Sequence, residues 1–235
     1  EKHKVGTMAS NPAVIDEMFT NIANEGKDIL HISFSSALSG GCGNVQVVSN
    51  QIMEANPEMK IIVVDTLAAS LGEAILIQKA LDLKAQGKTI EETAEIINEL
   101  VPHLITLFTV DDLDYLYRGG RLSKTTAIVG SLVNIKPILR INEEGKLVAY
   151  SKVRGRNKSI QTLASMMEDY LGSYREKQLQ IGIMHGDCEE DARALQKIIQ
   201  DKYGYTDFFI EPIGPSIGAH SGPGTLGLVF LGDHR

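Results

Sequence analysis

At 235 residues the chain is long enough to bury a large core and sits at the size where one domain commonly gives way to two. Its 43% apolar, 23% charged and 6% aromatic residues are those of an ordinary globular protein and exclude a disordered or fibrous class. A net charge of -7 works against broad nucleic-acid or anionic-membrane binding, so an anionic ligand would need a local site.

Cys42 and Cys188 are far apart, with no CxxC pair and no Cys/His spacing of a zinc cage, so no metal is expected and a reduced compartment is the simpler reading. No apolar run approaches the ~20 residues that span a bilayer and no signal peptide is visible, which predicts a cytoplasmic protein without integral membrane association. Glu1 is not an initiator Met, so the chain is expected to begin inside a longer one and to lack its natural first strand.

Taken in chain order, Ile29 to Phe34 reads as a buried strand that ends in the flexible loop Ser35-Ser36-Ala37-Leu38-Ser39-Gly40-Gly41. Val45, Val48 and Ile52 then recur at helical spacing from Asn44 onward, and Lys60 to Asp65 is a continuous apolar strand, which completes a βαβ unit. Ser70 to Gln86 reads as a helix closed by Gly87, and Thr89-Ile90-Glu91-Glu92 has capping-box form for a helix to about Leu100. This alternation predicts a Rossmann-like parallel α/β domain over 1–102 with helices on both faces.

The rhythm changes after Pro102. His103 to Val110 reads as a strand, Asp111 to Tyr117 as a short helix, and Arg118-Gly119-Gly120-Arg121 as a sharp turn. Lys136 to Ile141 and Lys146 to Val153 flank Asn142-Glu143-Glu144-Gly145, a hairpin signal. A helix from about Asn157 to Leu171, a strand from Leu179 to His185, a helix opened by the capping-box-like Asp187-Cys188-Glu189-Glu190, and strands near Phe208 to Ile213 and Leu226 to Leu231 finish the chain. Residues 103–235 thus read as an α+β domain with a mixed or antiparallel sheet.

Ser35 to Asn44 joins a strand's carboxyl end to a helix start, where open α/β sheets bind ligands, and a helix N-terminus favours negative charge. Ser35, Ser36 and Ser39 add hydroxyl donors, but no Lys-Ser or Lys-Thr follows the glycines, so the segment is neither a nucleotide P-loop nor a dinucleotide fingerprint. Arg121 sets a planar fork of donors, suited to a carboxylate or phosphate, beside a tight turn. His220-Ser221-Gly222-Pro223-Gly224-Thr225 packs an imidazole and two hydroxyls before an apolar strand and reads as a polar loop.

Gly214-Pro215-Ser216-Ile217-Gly218 matches the nucleophile elbow of serine hydrolases in letters. The order of residues argues against it, because a triad would want Ser, then an acid, then a distant His, whereas His220 lies only four residues on and is the last well-placed His. Cys42 has a nucleophilic reading beside a helix N-terminus and a bland one as a small buried thiol.

Read together, Ala9-Ser10-Asn11-Pro12, Ser35 to Gly40, Val64-Asp65-Thr66, Asp114-Tyr115-Leu116, Gly119-Gly120-Arg121-Leu122-Ser123, Asn134-Ile135-Lys136-Pro137, Lys152-Val153-Arg154-Gly155 and His220 to Gly224 resemble, in order along nearly the whole chain, the DegV family of fatty-acid-binding proteins. The resemblance implies a fatty acid between two α/β domains, its tail in an apolar tunnel and its carboxylate near the surface. It further implies a non-enzymatic carrier without a cofactor, which presents the acid to a separate ATP-dependent fatty acid kinase that makes an acyl phosphate for phospholipid synthesis. The family's carboxylate contacts match Ser10, Ser39 with Gly40, Arg121, and His220 with Ser221. Three positions depart from the pattern: Ala9 replaces a hydroxyl residue, and Gly41-Cys42 stand where the family has Thr and an aromatic. A serine hydrolase using Ser216 and a non-catalytic regulatory lipid-binding protein are the alternatives.

Overall fold

The computed structural model describes residues 5–122 and 134–235; Glu1 and the Ser123 end of the Gly119 to Ser123 motif lie outside the described residues. Two strands, β1 (Ile29–Ser33) and β2 (Ile61–Asp65), pair in parallel with Ile29 opposite Ile61 and Ser33 opposite Asp65. One face of this small sheet carries α1 (Pro12–Asn24) and α2 (Gly41–Ala55), which close over Ile29 and Ile61 with Ile15, Phe19, Val45 and Val48.

The other face carries α3 (Leu71–Ala85) and α4 (Ile90–Leu100), and these two helices also rest on a second, larger sheet. That sheet has six strands in the order β5-β4-β3-β8-β6-β7: β3 (Leu104–Thr109), β4 (Ile135–Ile141), β5 (Leu147–Arg154), β6 (Ile181–His185), β7 (Phe208–Pro212) and β8 (Leu226–Leu231). Only β6 and β7 run parallel; the other neighbours are antiparallel. Between β3 and β4 lies α5 (Asp114–Arg118); α6 (Arg156–Leu171) and α7 (Glu189–Tyr203) cover the far face, and α8 (Pro215–Ser221) joins β7 to β8.

The two central strands explain why helices can cover both faces of the large sheet. Leu104 of β3 and Val229 and Leu231 of β8 face α3 and α4, whereas Ile105, Leu107, Leu228 and Phe230 face α6 and α7. Alternate side chains of a strand point to opposite faces, so a strand apolar at every position must be buried on both. All six residues of β3 and all six of β8 are buried.

The fold therefore has the expected parallel strands, followed by a mixed sheet, and the Thr89 capping box forms in full, with the Thr89 hydroxyl taking the Glu92 N–H and the Glu92 carboxylate taking the Thr89 N–H. The box expected at Asp187 to Glu190 does not form. Asp187 has φ of 55°, and the cap position falls on Cys188, whose thiol donates to the Thr225 carbonyl at 3.2 Å. Three further corrections bear on the site. Helix α2 begins at Gly41, three residues before Asn44, because Gly40 takes the cap position and the Ser39 Oγ accepts the Gly41 N–H at 3.2 Å. An N-terminal helix, α1, starts at Asn11-Pro12, where the Asn11 side chain accepts the Ala13 N–H and Pro12 needs no partner for a missing donor. Finally, His220 and Ser221 belong to the last turn of α8 and not to a loop.

The hairpin turn at Asn142 to Gly145 ties the two sheets together. Asn142 Oδ1 accepts the Lys146 N–H at 2.8 Å, and Gly145 sits at φ of 76° with its carbonyl accepting the Ser35 hydroxyl at 2.9 Å. A Cβ on Gly145 would stand 2.5 Å from that hydroxyl, so the position requires glycine on conformational and on steric grounds. On the same seam Arg235, 5% exposed, donates to the carbonyls of Thr66 and Leu67 after β2 and of Leu104 at the start of β3.

Candidate functional site

A cavity of about 630 Å³ opens among α1, the carboxyl end of β1, the first turns of α2 and α3, strand β3 and helix α8. Ser10, Ser39, Arg121, His220 and Ser221 all line it. Gly40 does not; its place is the cap of α2. Most of the remaining wall is apolar, including Ile15, Phe19 and Val45 from one side and Phe108, Leu116 and Met184 from the other. A cleft of a few hundred cubic ångströms with apolar walls and a few convergent polar groups is the usual form of a small-molecule site.

Two of these polar groups, Arg121 and His220, meet at the Gly119 turn. Arg121 is half-buried; its Nε donates to the Leu38 carbonyl at 3.1 Å and its Nη1 to the Gly119 carbonyl, which fixes the guanidinium against the loop that carries Ser39. His220 packs on the same turn so closely that a Cβ on Gly119 would stand 2.2 Å from its Nδ1, which explains the first glycine of Gly119-Gly120-Arg121. Burial, and then the Arg121 charge, hold the imidazole below its usual range, so it is neutral near pH 7. His220 Nε2 lies 2.7 Å from the Thr7 hydroxyl, and Nδ1 is buried with no partner among the described residues.

Other expected donors are occupied elsewhere. The Ser35 hydroxyl is spent on Gly145, the Ser221 hydroxyl on the Ile217 carbonyl of its own helix at 3.2 Å, and Ser36 is exposed, with its N–H on Asp65. Ser10 is exposed at the mouth, where its carbonyl accepts from Asn44 at 2.9 Å. Thr7 was not singled out by the sequence. It supplies a hydroxyl two residues before Ala9, where the family pattern led us to expect one, and no local signal marks it, because its role comes from contact with a residue 213 positions away.

Ser216 is exposed and lines the cavity from α8, but it lies within the helix and without positive φ, so the strained strand-to-helix turn of a nucleophile elbow is missing and the match in letters is coincidental. Cys42 lines the cavity as a half-buried thiol on the first turn of α2. Among the described residues no group of three His, Cys, Asp or Glu side chains is placed to hold a metal ion, and no helix is long and apolar enough to cross a membrane.

Layered α/β elements thus enclose a largely apolar cavity lined by an Arg, a His and several hydroxyls. A family model described as "Uncharacterised protein, DegV family" matches residues 1–233, and the chain belongs to that family. It is 42% identical over 219 residues to the DegV domain-containing protein CPE0026 of Clostridium perfringens, covering 93% of this chain and 75% of that one. Among solved structures, the fatty acid binding DegV family protein SAG1342 of Streptococcus agalactiae superimposes with a TM-score of 0.87 at 27% identity, over 100% of this chain and 81% of that chain. The Fak (fatty acid kinase) B3 protein of Streptococcus pneumoniae, solved loaded with linoleic acid, gives 0.85 at 26% identity, over 99% and 80%.

Proposed function

We propose that this protein binds a long-chain fatty acid and presents it to a separate fatty acid kinase, without itself catalysing a reaction. The observation that carries this reading is the convergence of Ser39, Arg121 and His220, from three separate elements, on one predominantly apolar cavity. Arg121 has no acidic partner among the described residues, and a half-buried guanidinium already fixed by two carbonyls still has donors for a carboxylate. The neutral His220 and the Ser39 hydroxyl complete the head-group shell, with Ser10 and Thr7 at the mouth. The tail lies along the apolar wall, where each buried methylene contributes about 0.8 kcal/mol and supplies most of the affinity.

The fatty acids named for the Streptococcus agalactiae and Streptococcus pneumoniae proteins support the ligand, and the kinase named for the second supports the partner. Two units, 1–102 and 103–235, with the acid at their junction, are part of the same reading; both sheets reach the cavity, β1 from the first and β3 from the second. The test is to titrate the purified chain with oleate, and then to add an ATP-dependent fatty acid kinase and follow acyl phosphate. Saturable binding followed by kinase-dependent product supports the proposal; product without the kinase, or no binding, contradicts it.

A further inference from the structure

A second set of polar side chains, none of them hydrogen-bonded to Arg121, also lines the cavity. Ser70 and Glu73, on the first turn of α3, and Thr106, on the inner face of β3, all line it. Ser70-Leu71-Gly72-Glu73 has the letters of a capping box, as Thr89 to Glu92 does, yet only the second forms one. The Ser70 backbone, at φ of 54° and ψ of -126°, is far from the extended geometry of a capping serine, and its side chain caps nothing. Glu73 makes no hydrogen bond or ion pair among the described residues, and the Thr106 hydroxyl, in a residue only 2% exposed, has no partner either. Gly72 brings α3 close to β3 here: a Cβ on it would lie 3.7 Å from the Thr106 hydroxyl.

A tunnel for a plain hydrocarbon gains nothing from a carboxyl and a hydroxyl in its wall, since a buried polar group that faces methylenes stays unsatisfied. We propose that Glu73 and Thr106 form a second recognition point for an oxygen on the acyl chain itself, so that the preferred ligand is a hydroxylated fatty acid. The inference rests on the fatty-acid reading above and deepens it. Burial pushes the Glu73 carboxyl up to about 7, so near neutral pH it carries a proton for much of the time and can both donate to and accept from an alcohol.

The experiment compares stearate with a series of monohydroxystearates, the hydroxyl stepped along the chain, by direct titration of the wild type, Glu73→Gln and the double variant Glu73→Leu with Thr106→Val. At least one isomer is expected to bind the wild type about tenfold more tightly than stearate, the gain of one satisfied hydrogen-bonding site. Glu73→Gln keeps that preference because the amide still donates and accepts, and the double variant loses it while still binding stearate. Stearate binding as well as every isomer, or a preference that survives in the double variant, would overturn the inference alone. Binding of neither acid would overturn the fatty-acid reading and this inference with it.

Discussion

Arg121→Ala separates a carboxylate clamp from a structural arginine. In the folded protein the guanidinium holds the Leu38 and Gly119 carbonyls and lines the cavity together with Ser39 and His220. Loss of one charge-assisted contact to a carboxylate removes about 1.5–3 kcal/mol, or roughly 10–150-fold in Kd for a long-chain fatty acid. Arg121→Lys falls between, because a point charge cannot hold two carbonyls and a carboxylate at once. The control is the tail: shortening the acid by two methylenes costs about 1.6 kcal/mol, close to fifteenfold, and costs the same in wild type and variant, because head and tail touch different residues. Isothermal titration with both acids and a urea midpoint for each protein provide the four affinities and the stability. Unchanged affinity in a folded Arg121→Ala protein would refute the assignment, and a tail penalty that vanishes in the variant would refute the geometry.

Three further outcomes follow from particular side chains. Glu73 titrates near 7 in the folded chain against 4.5 ordinarily, so it prefers its proton when folded; the wild type therefore loses stability relative to Glu73→Gln as pH rises from about 5 to 8, by about 1–3 kcal/mol after allowance for its partial exposure, readable as diverging urea midpoints. No divergence would mean that the carboxyl is solvated. Arg235→Ala strips two buried carbonyls and one half-buried carbonyl of their donor on the seam between the sheets and should cost about 2–4 kcal/mol in chemical denaturation, with a cost below about 0.5 kcal/mol counting against that seam. Ser216→Ala leaves both fatty-acid binding and any trace esterase activity where they were; activity that disappears with this hydroxyl would reopen the hydrolase reading.

The architecture was legible because apolar period and punctuation agree along most of the chain: the run Ile61 to Asp65, the Asn142 to Gly145 turn and the Thr89 box each carry a local signal that tertiary contacts do not override. The start of α1 is equally legible in Asn11-Pro12, a cap residue followed by a proline at the first helical position, although the same residues also belong to a family motif. Other features lie beyond local reading. Leu71, Ile75, Leu76 and Leu83 leave no single polar face on α3, which is squeezed between two sheets, so nothing in its periodicity distinguishes Glu73 at a cavity wall from a glutamate in solvent. Ser39, Arg121 and His220 were found through the order of motifs rather than through their own chemistry, and Thr7 and Thr106 through neither, because each depends on a partner far away in sequence. Ser35 and Ser221 show the converse: hydroxyls in the right motif that the fold spends on its own backbone.

The central claim, that this cavity holds a fatty acid by its carboxylate, is tested most directly by native mass spectrometry of the chain purified from a bacterial host, beside the Arg121→Ala variant. The account predicts that a fatty-acid mass accompanies the wild type and is depleted from the variant; a wild-type protein that carries no such mass and takes none up from added oleate would contradict it.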